Sequence, residues 1–157
     1  MKKILLFLGT LTIITTLFIG CNYNLNSISF NKTKPNNFYY TNILAKNLTL
    51  ESTCKAIILN TNFYREKELE KESIDSIRNL LKSFNKNNFI PKPKDLPDKP
   101  SYKIYLTFSK EKLIINVYSE KYISIYPWDG SYPMDYIDMS STPVSLNLFS
   151  LCKYIFN

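Results

Sequence analysis

Between Tyr102 and Tyr126 the side chains change character at every second position, and this constrains the fold more than any other feature of the chain. Tyr102, Ile104, Leu106 and Phe108 alternate with Lys103, Tyr105 and Thr107. Leu113, Ile115 and Val117 alternate with Ile114, Asn116 and Tyr118, and Tyr122-Ile123-Ser124-Ile125-Tyr126 follows. A period of two places successive side chains on opposite faces of a strand. Only Ser109-Lys110-Glu111-Lys112 and Ser119-Glu120-Lys121 separate the three runs. Connections this short admit only antiparallel neighbours, so the segment predicts a three-stranded meander. Large residues on both faces predict that part of the outer face is covered or aromatic.

The flanking segments supply helices. Ile74, Ile77, Leu80, Leu81 and Phe84 recur at spacings of three, four and seven, making one apolar stripe with Ser73 placed as N-cap. Such a stripe can meet a membrane or a partner, but packing on the sheet is the simpler expectation. Thr142-Pro143 reads as N-cap and first helical residue of a C-terminal helix carrying Val144, Leu148, Leu151 and Ile155. Lys55–Asn60 is a short apolar run of strand length, and the charged run Glu66–Glu72 fits an edge strand or the approach to a helix. Pro91, Pro93, Pro97 and Pro100 make residues 90–100 an extended connection. Residues 127–141 read as a loop. The expected fold is α+β: an antiparallel sheet with two helices packed on one face, in the order β-α-β-β-β-α, over residues 51–157.

The N-terminus points to an address. Met1-Lys2-Lys3 precedes an uncharged apolar run from Ile4 to Ile19, and Gly20-Cys21 ends it. This is the layout of a secretory signal or a signal anchor, and it is shorter than the ~20 residues a spanning helix needs. Leu17-Phe18-Ile19-Gly20-Cys21 resembles the lipobox of bacterial lipoproteins, although leucine is commoner than Phe18 and a small residue commoner than Ile19 at their positions. The resemblance implies cleavage after Gly20 and acylation of the Cys21 thiol. Residues 1–20 are then a lipoprotein signal peptide, and the protein sits on the extracytoplasmic face of the cell membrane through a lipid anchor. Residues 21–50 are rich in Asn, Ser, Thr and Lys. They read as a lipidated flexible tether, about 30 Å end to end as a free coil.

A second resemblance covers residues 55–135. Leu96-Pro97-Asp98-Lys99-Pro100-Ser101-Tyr102, the aromatic strands, and Pro127-Trp128-Asp129-Gly130-Ser131-Tyr132 are similar to a small uncharacterised domain family of low-GC Gram-positive bacteria. The resemblance implies a fold and a source, and no reaction.

Chemistry is constrained mainly by what the chain lacks. It has no histidine and three cysteines, which excludes histidine-based catalysis and a Cys₄ zinc site. The formal charge of +7 follows from a strong lysine bias, so it does not argue for nucleic acid. Lys82, Lys86, Lys92, Lys94 and Lys99 fit a solvated surface, or contact with anionic polymers. Asp129, Asp135 and Asp138 lack the spacing and closing glutamate of a calcium loop, so no metal or cofactor is expected. Cys54 and Cys152 either pair as a disulfide or sit as small buried hydrophobes.

The sharpest candidate is a binding loop: Trp128, Asp129, Tyr132 and Tyr136. Tryptophan and tyrosine bury large area with few rotors, although the same residues can simply cap a core. The resulting expectation is a surface lipoprotein that is not an enzyme and binds a protein partner. An immunity or inhibitor lipoprotein acting on a toxin or wall enzyme is the sharper version, and an envelope hydrolase the rival.

Overall fold

The computed structural model describes residues 33–51 and 53–157. The expected signal peptide, Cys21 and the expected tether as far as residue 32 lie outside these residues. Among the described residues, seven strands form one antiparallel sheet, flanked by three α-helices. The chain order is α1 (Tyr39–Leu50), β1 (Lys55–Asn60), β2 (Arg65–Glu68), α2 (Lys71–Ser83), β3 (Phe89–Ile90), β4 (Tyr102–Thr107), β5 (Lys112–Val117), β6 (Tyr122–Pro127), β7 (Asp135–Asp138) and α3 (Leu148–Phe156). The spatial order is β2-β1-β4-β5-β6-β7-β3.

The meander is present in register. Ile104 pairs with Ile115, and Ile115 with Ile125. The same register carries Ile58 and Ile137 onto one face with them. These inward residues join Leu44 and Leu48 of α1, Ile77 and Leu80 of α2, and Leu148 and Cys152 of α3 in one core cluster. On α2 the apolar stripe is what enters that cluster. At α3, Tyr102 is clasped by Phe149 and Phe156, with ring centroids 5.7 and 5.9 Å away.

The outward face is partly covered. Ile114, Asn116, Tyr118, Tyr122 and Ser124 point away from the core cluster yet are buried. Asn116 Nδ2 donates to Ser124 Oγ at 3.2 Å, and Ser124 Oγ lies 3.4 Å from Met134 Sδ. The proline-rich connection closes over one end, where Tyr122 donates its hydroxyl to the Asp95 carboxylate at 3.0 Å. That hydrogen bond and the nearby Lys121 hold the Asp95 carboxyl below its ordinary range.

Several expectations need correction. The tether does not extend to residue 50, and the folded unit begins at Thr33 rather than residue 51. Tyr39–Leu50 is helical because Tyr40, Leu44 and Leu48 recur at four-residue intervals and are buried. Tyr39, Ile43 and Leu50 are apolar too but lie off that face, which blurs the stripe in the sequence. The order is therefore α-β-β-α-β-β-β-β-β-α rather than β-α-β-β-β-α. The 127–141 segment contains β7, which carries Asp135 and Ile137 inward by strict alternation. The two-residue β3 completes the sheet beside it. α2 starts at Lys71 with Glu70 as its N-cap residue rather than at Ser73. The C-terminal helix starts later, after Asn147, whose side chain accepts from the amides of Phe149 and Ser150. Val144 consequently lies outside the core and is 81% exposed.

Candidate functional site

Three segments meet at one end of the sheet. β6 ends at Pro127, and the next amide, Trp128 N–H, donates to Lys112 C=O at 2.9 Å, which fixes the loop to the start of β5. Gly130 N–H donates back to Pro127 C=O at 3.3 Å, closing the turn. A side chain at Gly130 has no room: a Cβ there would lie 2.8 Å from Pro127 Cγ and 2.9 Å from Tyr40 Oη. Tyr40 then locks the loop to α1. Its hydroxyl accepts from Tyr132 N–H at 2.9 Å and donates to Tyr132 C=O, 3.3 Å away. Burial pushes the Tyr40 hydroxyl above its ordinary pKa, which keeps the proton it donates. Tyr39 stands edge-on to the Tyr132 ring with centroids 5.5 Å apart.

These contacts frame a cleft of about 420 Å³, lined by Tyr39, Tyr40 and Ile43 of α1, by Lys110, Glu111 and Lys112 of the β4–β5 turn, and by the 127–132 loop. Its volume lies in the range of small-molecule sites. Trp128 lines it and is 66% exposed. The Lys112 ammonium lies 5.7 Å from the indole centroid, a cation–π contact. Glu111 accepts from Asn47 Nδ2 at 2.9 Å, which ties the turn to α1.

The structure brings together Trp128, Asp129 and Tyr132 of the expected loop and separates Tyr136 from them. Tyr136 pairs with Ser124 on the outward face and lines a different hollow, with Lys34, Ile90, Pro133 and Met134. Alternation along β7 sends Asp135 inward instead. Asp135 is buried, accepts from Thr41 N–H at 2.7 Å and Thr41 Oγ1 at 2.8 Å, and has the Lys34 ammonium 2.5 Å from its other oxygen. It serves the fold rather than a ligand. Tyr39, Lys110, Glu111 and Lys112 were not legible as site residues. They lie in a segment read as tether and in a hairpin turn, and only the fold carries them to Trp128.

Cys54 and Cys152 are free thiols, so the possible bridge is not formed. Cys54 precedes Lys55, which pairs with Thr107 at one end of β4. Cys152 lies beside Tyr102 at the other end. Five residue steps of strand are about 17 Å, well beyond the ~7 Å Cα separation a disulfide tolerates. Burial pushes the Cys54 thiol up to about 11 and the Cys152 thiol further. Lys82, Lys86, Lys92, Lys94 and Lys99 are all exposed and outside the cleft.

The fold and cleft define a small α+β domain with a preformed surface pocket. Residues 34–152 match the model of a domain of unknown function, DUF4883, and the chain belongs to that family. The match runs beyond the 55–135 span of the weaker resemblance and includes α1. The domain is also similar to the crystal structure of a "putative lipoprotein" from Clostridium perfringens: 35% identity, TM-score 0.71, covering 79% of this chain and 98% of that one. No curated protein matches the chain. Among the described residues no helix is long and apolar enough to cross a membrane.

Proposed function

We propose that the protein is a lipoprotein, anchored through Cys21 on the extracytoplasmic face of the cell membrane, and that its domain binds a ligand there without transforming it. The observation that carries the binding role is Trp128. A large aromatic side chain is left 66% exposed at the mouth of a cleft whose walls are locked by backbone and hydroxyl hydrogen bonds. Leaving that much apolar surface in water is unfavourable for the free protein, and a ligand recovers it. The anchor is supported by Gly20-Cys21 after an uncharged apolar run, and by the description of the Clostridium perfringens protein. The non-catalytic role is supported by the absence of histidine from the chain and by two thiols that stay protonated at neutral pH and lie outside the cleft.

The test is metabolic acyl labelling with membrane fractionation of the wild type and Cys21→Ser. The wild type is expected to label and pellet, and the variant to do neither. Pelleting of both without label refutes lipidation and makes the N-terminus a signal anchor.

A further inference from the structure

We infer that the Trp128 cleft takes an uncharged saccharide, such as a short segment of a neutral glycan. The inference rests on the binding role proposed above and names the ligand class of the same site. Three observations select it.

The first is charge balance. The ionisable rim consists of Lys110, Lys112, Glu111 and Asp129, two cations and two carboxylates within one cleft. An anionic ligand meets Glu111 and Asp129, and a cationic one meets the two lysines. A ligand bearing vicinal hydroxyls is served by both signs, because each hydroxyl donates to a carboxylate and accepts from an ammonium.

The second is the aromatic wall. Trp128 offers an exposed indole surface, and the partly exposed Tyr39 lines the same cleft. The π face of an aromatic ring is negative, and the axial C–H bonds of a pyranose ring present a weakly positive, flat surface to it. The Trp128 N–H bond to Lys112 C=O at 2.9 Å fixes the backbone beneath the ring, so less ordering is left to be done on binding.

The third is scale. A cleft of about 420 Å³ is of small-ligand size, whereas a stable protein interface uses roughly 800 Å² per partner around clustered apolar anchors. The apolar groups beside Trp128 are those of the cleft lining itself, Tyr39, Ile43, Pro127 and Tyr132, far fewer than the roughly 20–30 residues a side that such an interface uses. The exposed pair Phe63 and Tyr64 follows Asn60, at the end of the sheet where Tyr102, Val117 and Ile123 pair, opposite the end where Leu113 pairs with Pro127.

Trp128 is the single tryptophan of the chain, so its fluorescence reads the site directly. The full chain is purified from its own host, from whichever fraction holds it, in a detergent without a sugar headgroup. Failure of the lipid anchor therefore leaves this test intact. It is titrated with tetra-N-acetylchitotetraose, cellotetraose and maltotetraose, and with tetragalacturonate as an anionic saccharide. A saturable change in Trp128 emission is expected with at least one neutral tetramer, and at least tenfold weaker binding with tetragalacturonate. Glu111→Gln and Asp129→Asn should each weaken the neutral ligand about tenfold or more, the scale of one lost charge-assisted hydrogen bond. Trp128→Ala, followed by calorimetry, should abolish binding while the far-UV circular dichroism stays unchanged. No response to any neutral tetramer up to about 10 mM, or tighter binding of tetragalacturonate, overturns the inference. So does a photo-crosslinker at position 128 that captures a protein in cells when no neutral tetramer binds.

Discussion

Asp135→Ala measures how strongly one buried charge joins β7 to α1. The Asp135 side chain is fully buried, and that of Lys34 is 14% exposed. α1 has no side-chain cap of its own at Phe38. The Asp135 carboxylate supplies one from across the fold: it accepts from the Thr41 amide at 2.7 Å and sits at the positive end of the helix dipole. Thr41 Oγ1 donates to the same oxygen at 2.8 Å, and the Lys34 ammonium forms an ion pair with the other oxygen, 2.5 Å away, while donating to Pro133 C=O at 2.9 Å. A hydrogen bond to a charged group contributes about 1.5–3 kcal/mol. Removing one partner of a buried ion pair costs about 3–5 kcal/mol, because the other charge is left uncompensated. Asp135→Ala should therefore cost about 4 kcal/mol. That is a large share of the ~5–15 kcal/mol that stabilises a typical domain. Thr41→Ala, which removes one donor, should cost about 1.5–2 kcal/mol. The assay is urea unfolding followed by far-UV circular dichroism. The double variant Lys34→Met with Asp135→Leu should cost less than the sum of its single changes by more than about 1.5 kcal/mol, since neither charge is then stranded. Burial shields the pair, so the coupling should change little with added salt. Additivity within about 0.5 kcal/mol, or a cost below about 1 kcal/mol for Asp135→Ala, would refute the assignment.

Further outcomes follow from the same geometry. Leu44→Ala should destabilise the protein by about 2–5 kcal/mol, because Leu44 is fully buried in the core; a chain cut to residues 51–157 should lose its cooperative unfolding transition, whereas one cut to 33–157 should keep it. Gly130→Ala should cost about 1–3 kcal/mol in urea unfolding by forcing Pro127 and Tyr40 apart. Both thiols should alkylate slowly at neutral pH under native conditions, and mass analysis without reductant should find no bond between Cys54 and Cys152. Because the folded state holds the Cys54 proton to about pH 11 and the unfolded state only to about pH 9, the stability tied to the neutral thiol is whole below pH 9. It is lost as the pH rises towards 11, with a slope of at most about 1.4 kcal/mol per pH unit and less in practice for a half-buried group. A stability that rises with pH across this window would contradict the burial of the thiols.

The sequence alone determined the features that depend on neighbouring residues. The meander from Tyr102 to Pro127 was legible because alternation and short turns act within one hairpin at a time. The body of α2 was legible because Ile74, Ile77, Leu80 and Leu81 already mark one face. Trp128 stood out through its type and its place after a strand end.

Tertiary structure decided what depends on distant segments. In Tyr39–Leu50 apolar residues fall on more than one face, so no single stripe declares a helix; Tyr40, Leu44 and Leu48 are singled out only by packing against α2, β6 and β7, and the cap comes from Asp135, ninety-four residues away. β7 and β3 are too short to signal strands; β7 exists because β6 offers an unpaired edge, and β3 because β7 offers one in turn. The separation of Tyr136 from Trp128 and the distance between Cys54 and Cys152 follow from strand register, which sets the face and the end of the sheet for every side chain at once. The cleft follows the same rule. Its walls come from a helix, a hairpin turn and a loop, and no local pattern encodes their meeting, because burying one shared apolar face is what brings them together.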